Sequence, residues 1–424
     1  MMKRFLNEIK GILPADRVYT DELRTLAWGT DASFYRLTPQ VVVRARNEAE
    51  VSTIVRTASK YRLPFTFRAA GTSLSGQSVS DSILIVAGNS GASRTQCRTC
   101  SDNAETQPTE AKGNEWEYYF VAADAGSITL QPGIVGARVN QILKPLGRVF
   151  PPDPASIGSA MVGGIVANNA SGMNCGTHAN SDRMLLSARL VLADGTVLDT
   201  GDAASREAFR QSHPEFIAKI EALRDRVRAN TALADRIRKK YSIKNVTGLN
   251  LRPLVAYDDP MDIIAHCVVG SEGTLAFISQ VTMRTLHDYP CKASAMLYFF
   301  TMRESCEAVV ALKQLKSSEE DIAMSEENLM VKSAEMLDYL SLASVDDPVY
   351  LQYKQDVDAG KIPGVEPGDY HNLTAILTET KAMTADDLQH RIDAITRCLS
   401  PFKTYIPVEF TTDPAVYGKY WAIR

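Results

Sequence analysis

Three stretches of mostly small residues with little charge, far apart along the chain, constrain this sequence most. They are Arg68-Ala-Ala-Gly-Thr-Ser-Leu-Ser-Gly-Gln77, Pro151-Pro-Asp-Pro-Ala-Ser-Ile-Gly-Ser-Ala-Met-Val-Gly-Gly-Ile-Val-Ala-Asn-Asn-Ala-Ser-Gly172 and Val269-Gly-Ser-Glu-Gly-Thr-Leu275. The second runs for 22 residues with Asp153 as its only ionisable side chain. A plain connecting turn rarely runs that long without charge. Small side chains let the backbone come close to a ligand, and consecutive N–H groups in such a turn make a concavity that suits an anion. Ser and Thr hydroxyls add donors. Each stretch alone could be a surface turn. Together, spread from residue 68 to residue 275, they imply one site assembled from distant chain, which suits an extended, phosphate-bridged cofactor better than a small substrate alone.

Other phosphate and metal motifs are excluded residue by residue. No G-x-G-x-x-G follows a strand, so the dinucleotide fingerprint of a Rossmann fold is absent. Gly71 to Gly76 has the spacing of a P-loop, but Gln77-Ser78 stands where Lys-Ser/Thr is required. H-E-x-x-H is missing. The net charge of −4 over 424 residues gives no global case for nucleic-acid binding. No apolar run approaches the roughly 18 residues of a spanning helix, and Met1 to Gly11 has no long apolar core of a signal peptide. With 45% hydrophobic and 23% charged residues, the chain is neither collagenous, coiled-coil, disordered nor a disulfide scaffold. Its seven scattered cysteines fit a reducing compartment. Cys97-Arg-Thr-Cys100 lacks a second ligand pair for zinc. It lies in the polar stretch Gly88 to Glu115, which reads as an exposed loop insertion.

Periodicity places these segments on an α+β chain. Val41 to Ala45 reads as a buried strand, Glu48 to Tyr61 as a helix with apolar Val51, Ile54, Val55 and Ala58, and Phe65 to Phe67 and Ile83 to Val86 as strands around the first Gly-rich turn. Tyr118 to Ala123 and Ser127 to Leu130 read as strands and Val135 to Leu146 as a helix. Leu186 to Leu198 reads as a hairpin about Asp194-Gly195. Residues 206–240 are helical in pattern. A texture change at Asp288-Tyr-Pro290 marks a domain boundary. Beyond it come a strand over Ala293 to Phe300, a helix over Arg303 to Leu315, a helix near Asn328 to Leu340, a loop at 359–368, a strand over Leu373 to Thr378 and a helix over Thr384 to Cys398. The aromatic stretch Ala415 to Arg424 reads as the end of a truncated domain.

The three small-residue segments together resemble the FAD-binding domain of the vanillyl-alcohol oxidase type, as found in FAD-linked D-lactate and D-2-hydroxyacid dehydrogenases and the glycolate oxidase flavoprotein subunit. The pattern R-G-G-G-T-S-L-S-G-Q appears as Arg68 to Gln77, with Ala69-Ala70 replacing two glycines and tightening the phosphate turn. P-D-P-x-S and I-G-G-x-x-A-x-N-x-x-G appear as Pro152 to Ser156 and Val162 to Gly172. G-S-E-G-T-L-G-I-I-T appears as Gly270 to Ser279, with Ala276-Phe277 replacing Gly-Ile. Asn168 to Thr177 is similar to N-N-A-S-G-M-x-C-G-T of a larger subgroup that carries C-terminal iron–sulfur domains.

The resemblance implies an α+β fold: a two-subdomain vanillyl-alcohol oxidase (PCMH)-type FAD-binding domain at 1–287, divided at about 1–110 and 111–287, followed by a partial α+β cap domain at 288–424. It implies non-covalent FAD, since 68–77 contain no His for attachment. Residues matching the cofactor segments are Ala70, Gly71, Thr72, Ser73, Gly76 and Gln77; Pro152, Asp153, Ser156, Gly163, Gly164, Asn169 and Gly172; and Glu272, Gly273 and Ile278. Tyr420-Trp-Ala-Ile-Arg424 is similar to an aromatic-x-x-Arg segment whose Arg forks a substrate carboxylate. The family's metal ligands, its His base and any iron–sulfur cysteines would lie beyond residue 424. Internal His178 and His266 stand as substitute bases, a satisfied core histidine being the alternative for each.

The implied activity is oxidation of a D-2-hydroxy acid, D-lactate or D-2-hydroxyglutarate, with hydride transfer to the flavin and electrons passed to an iron–sulfur or quinone acceptor. The chain alone would bind FAD and turn over weakly or not at all. A non-catalytic FAD-binding electron-transfer or scaffold subunit, and a flavin oxidase of another alcohol or sugar, are the alternatives. No nucleic acid and no transmembrane segment are expected. The resemblance implies a cytoplasmic protein, with peripheral docking at the inner face of the membrane as a variant.

Overall fold

The computed structural model describes residues 1–87, 116–172, 175–315 and 330–423. The polar stretch 88–115, with Cys97 and Cys100, lies outside the described residues, as does Arg424. The chain forms two compact units, Met1–His287 and Asp288–Arg424.

In the first unit, Val18–Tyr19 (β1), Val41–Ala45 (β2), Phe65–Arg68 (β3) and Ile83–Ala87 (β4) form one sheet in the order β1-β2-β4-β3. β4 runs parallel to both β2 and β3. Parallel strands need a crossover, and the helix Glu48–Lys60 lies between β2 and β3 in sequence, capped by the Asn47 side chain accepting from Glu50 N. Its Val51, Ile54, Val55 and Ala58 share a buried cluster with Val41, Val43, Ile83 and Ile85. Burying each of the larger ones contributes about 1.5–3 kcal/mol. Val42, Leu84 and Val86 are buried in a separate cluster with Tyr19 and Trp28. This explains why the strands are apolar without alternation: a sheet covered on both faces selects for it. An N-terminal helix, Met2–Lys10, adds Phe5 and Ile9 to the first cluster; its short, mixed sequence carried no expectation. The first Gly-rich segment leaves the carboxyl end of β3 and returns to β4, the end of a parallel strand where ligands gather in open α/β sheets.

Tyr119–Val121 (β5), Ser127–Leu130 (β6), Arg148–Val149 (β7), Leu185–Val191 (β8), Val197–Asp199 (β9), Phe277–Arg284 (β10) and Leu286–His287 (β11) follow. Five of them form an antiparallel sheet in the order β5-β6-β10-β8-β9. The β8–β9 hairpin turns at Gly195, whose φ of +82° is the left-handed conformation expected of Asp-Gly. The charged stretch resolves into three helices, Ala203–Ser212, Pro214–Ala229 and Thr231–Lys240. Helix Glu48–Lys60 ties the two sheets together. Glu48 accepts a forked pair from Arg189 at 2.7 and 2.8 Å, and Trp116 Nε1 donates to the Ala45 carbonyl at 2.8 Å.

In the second unit, Cys291–Phe299 (β12), Ser333–Leu337 (β13) and Thr374–Ala382 (β14) form an antiparallel sheet with β14 central. β12 and β14 pair over nine residues, from Cys291↔Ala382 to Phe299↔Thr374. Leu297, Phe299 and Ile376 pack with Leu312, Ile395 and Leu399 of the helices Met302–Gln314 and Ala385–Leu399. Met296, Tyr298 and Leu377 pack with Leu342, Tyr353 and Val357.

The expected helix near 328–340 is a correction. Its apolar spacing is helical, but Ser333–Leu337 is a strand, in register from Ser333↔Glu379 to Leu337↔Ala375. Pairing with β14 overrides local periodicity. Asn328 and Leu329 lie outside the described residues. A helix at Pro348–Asp358 was not anticipated. Asp347 caps it, accepting from Val349 N and Tyr350 N at 3.0 and 2.9 Å.

Candidate cofactor site

The three small-residue segments meet in the first unit around a cavity of about 600 Å³, within the range of about 300–1,000 Å³ usual for ligand sites. Ala70, Gly71, Thr72, Ser73 and Gln77 line it from the first segment. The loop is held in shape by its own hydroxyls. Ser73 Oγ donates to the Gln77 side-chain oxygen and accepts from Ser75 N at 3.2 Å. Gly71 and Gly76 have φ of +74° and +75°, which makes glycine necessary at both turns of the loop. Gly76 does not line the cavity; a side chain there would meet Tyr35 at 2.8 Å. Ala32 N donates to the Gly71 carbonyl at 3.1 Å, and Ser78 Oγ donates to Asp31 at 2.8 Å. The loop is thus stitched to residues 31–32.

Ser156, Gly163 and Gly164 line the cavity from the second segment. Ala69, which replaces a glycine, stands beside the second segment: a Cβ on Gly164 would lie in ordinary contact, 3.7 Å from the Ala69 methyl. Pro152, Asp153, Asn169 and Gly172 do not line the cavity. Gly172 is packed so closely that a Cβ would lie 1.5 Å from the Asp153 carbonyl oxygen. Buried Cys175 completes this knot. Its Sγ accepts from Gly172 N at 3.1 Å and Asp153 N at 3.4 Å and donates to the Pro151 carbonyl at 3.3 Å. Burial pushes this thiol up, so it acts as a hydrogen-bonding strut and not as a nucleophile. Asn169, at φ +50°, accepts from Asp182 N at 3.1 Å.

Glu272, Gly273 and Ile278 line the cavity from the third segment. Glu272 takes the left-handed conformation, φ +55°, with its N–H on the Ala167 carbonyl at 2.9 Å and its carboxylate accepting from Asn168 Nδ2 at 2.6 Å. Burial raises this carboxyl above the usual range, against the pull of Asn168. Among the described residues that line the cavity, Glu272 and Arg68 are the only ionisable ones.

The expected catalytic residues are not gathered at this cavity. His178 lies outside its lining, with Nε2 2.9 Å from Thr177 Oγ1. His266 is buried among Asp182, Arg252 and Tyr257, a satisfied core histidine. Arg424 lies outside the described residues. Arg68, Pro132, Phe67 and Phe277 line the cavity without having been singled out as ligand-binding. Arg68 opened the recognised segment; Pro132 carries no local signal, and its role shows only in its packing 2.6 Å from where a Cβ on Gly163 would stand.

Comparison with known proteins agrees with this geometry. Residues 39–96 and 119–201 match the family described as FAD binding domain. D-2-hydroxyglutarate dehydrogenase of Escherichia coli (strain K12) is 29% identical over 269 residues, 61% of this chain and 23% of that protein. The protein of the same name from Haemophilus influenzae is 25% identical over 374 residues, 85% of this chain and 30% of that one. The matched stretch thus spans less than a third of these relatives' length. Among solved structures, alkyldihydroxyacetonephosphate synthase superposes with a TM-score of 0.60 at 15% identity, covering 99% of this chain and 64% of that one. No helix among the described residues is long and apolar enough to cross a membrane.

FAD fits the residues present. The loop has two left-handed glycines and a row of hydroxyls for a pyrophosphate, one cation beside it, and apolar walls from Phe67, Ile165 and Phe277 for the flat ring systems. Part of the first unit therefore matches the family described as FAD binding domain, the chain shares its fold with alkyldihydroxyacetonephosphate synthase, and its relatives include D-2-hydroxyglutarate dehydrogenases.

Proposed function

We propose that this chain is the flavin-binding part of an FAD-dependent dehydrogenase of D-2-hydroxy acids, with D-2-hydroxyglutarate or D-lactate as substrate. The observation that carries the proposal is the convergence of the three segments on one cavity of about 600 Å³ with a cation at its phosphate loop; the relatives' names supply the substrate class. When bound, FAD supplies a hydride acceptor for the substrate carbon. The chain's own contribution is binding and orientation. Backbone N–H groups of the loop after β3, with the hydroxyl of Thr72, hold the pyrophosphate, and Ser73 shapes the loop through Gln77. Asn168 and Glu272 fix the wall beside it. Unit 288–424 acts as the cap that carries substrate-binding groups, and Arg424 forks the substrate carboxylate with two charge-assisted bonds. Within this chain His178 is the candidate base for the proton of the substrate hydroxyl. An iron–sulfur or quinone acceptor takes the electrons, and the matched stretch covers 23% of the Escherichia coli relative.

Two steps test this. Flavin released by denaturing the purified chain, and identified by chromatography, is expected to be FAD. Anaerobic addition of D-2-hydroxyglutarate or D-lactate to the full-length protein is expected to bleach the flavin spectrum, whereas the L-acids leave it unchanged. A protein that holds FAD but is bleached by neither D-acid is a different enzyme or a non-catalytic flavin carrier. A protein that cannot be loaded with FAD overturns the proposal at its root.

A further inference from the structure

Among the described residues, Arg68 is the one cation lining the cavity, and its surroundings give it no anion of its own. The residue ends β3, immediately before the phosphate loop. Its Nη1 donates to the Thr30 carbonyl at 2.6 Å and to the Trp28 carbonyl at 3.3 Å, and the guanidinium stands 5.2 Å from the centre of the Trp28 ring. Nε is buried without a hydrogen-bond partner. A Cβ built on Gly71 would lie 2.5 Å from Nη2 and 2.8 Å from Cζ, so the backbone of the loop rests directly against the guanidinium. Asp31 is the acid that acts on Arg68, but its carboxylate is taken by Ser33 N and Ser78 Oγ, each at 2.8 Å. Among the described residues Arg68 makes no ion pair. Burial lowers the guanidinium's hold on its proton, against the pull of Asp31. A half-buried, unneutralised charge is costly unless a ligand supplies the counter-charge.

We propose that Arg68 is a positioning residue for the cofactor's pyrophosphate: it pins the loop 69–77 to the Trp28–Thr30 carbonyls and supplies the positive potential beneath that loop for a dianionic diphosphate. This assignment rests on the FAD reading of the cavity. Its chemistry is selective. Guanidinium nitrogens held by neutral carbonyls keep their full charge, whereas a salt-bridged arginine would present a neutral pair. The geometric part explains why position 71 must be glycine for a second reason besides its φ: any side chain would displace the guanidinium.

The test uses the whole chain freed of flavin, with FAD affinity measured by fluorescence titration at low and high salt. Arg68→Met removes the charge and the fork; Arg68→Lys keeps the charge and loses the fork. We expect Arg68→Met to weaken FAD by about 10–100-fold, the equivalent of one lost charge-assisted interaction. We expect its remaining affinity to lose the salt dependence of the wild type. Arg68→Lys should recover part of the affinity and most of the salt dependence. If both variants weaken FAD equally while salt dependence stays as in the wild type, Arg68 is a structural prop and its electrostatic role is overturned. Unchanged FAD affinity in Arg68→Met overturns the whole assignment. Wild-type chain that takes up no FAD overturns the cofactor reading itself, and Arg68's role with it.

Discussion

His266 gives the first unit a pH dependence whose size can be worked from its surroundings. The residue sits in the helix Pro260–Val268 at 5% exposure. Its Nδ1 lies 3.0 Å from the Asp182 carbonyl oxygen and its ring stacks on Tyr257 with centroids 4.2 Å apart. Three charged groups face it: Arg252, Asp182 and Arg183. Burial, then Arg252 and Arg183, outweigh the pull of Asp182 and lower the imidazole from 6.5 to about 4. Between those values the unfolded chain binds the extra proton and the folded chain does not. Stability is therefore full above pH 6.5, falls as pH drops through the window, and loses nothing more to this residue below about 4. At about 1.36 kcal/mol per unit, a gap of about 2.5 units makes this loss about 3 kcal/mol. His266→Gln removes the titration and keeps an N–H donor for the Asp182 carbonyl. Trp28 and Trp116 belong to the first unit and Trp421 to the second, so in a Trp421→Phe background urea unfolding followed by fluorescence reports the first unit alone. The stability difference between the two forms should shift by about 3 kcal/mol from pH 7 to pH 4, with the histidine form losing more. Profiles that stay parallel within about 0.5 kcal/mol would refute the reasoning, since that is the ordinary error of additivity.

Two further outcomes follow from single residues. Gly172→Ala puts a Cβ 1.5 Å from the Asp153 carbonyl oxygen, a backbone atom that cannot swing away. The variant should lose bound FAD on gel filtration, and wild-type FAD content per chain would show that the knot around Cys175 yields. Glu272→Gln acts with the opposite pH sense from His266. Burial raises the Glu272 carboxyl above 4.5 in the folded state, so its contribution is full at low pH and lost as pH rises through the raised value. The glutamine form should melt above the wild type at pH 7, with the difference closing toward pH 4; a difference independent of pH would mean that the carboxyl is solvated.

What was legible in the sequence is what close packing forces on residue type. Gly71, Gly76 and Gly172 stood out because a left-handed φ or a carbonyl within bonding range tolerates nothing else. The strand pairs of the first unit were legible because strands covered on both faces become uninterrupted apolar runs. The misses share a different cause. Ser333–Leu337 has helical spacing, and only the free edge of β14, forty residues later, makes it a strand. Ala69 and Gly164 lie side by side in the cavity wall although they are nearly a hundred residues apart, and no local pattern records that neighbourhood. Arg68 is the most instructive case. At the end of a strand, before a glycine loop, it looks like an ordinary solvated arginine. Its consequence comes from what does not pair with it: Asp31, which acts on it, is turned to Ser33 and Ser78 instead. Motif spacing records which residues must be small; it holds no record of which charge is left unbalanced, and in a phosphate site that unbalanced charge is the part that selects the ligand.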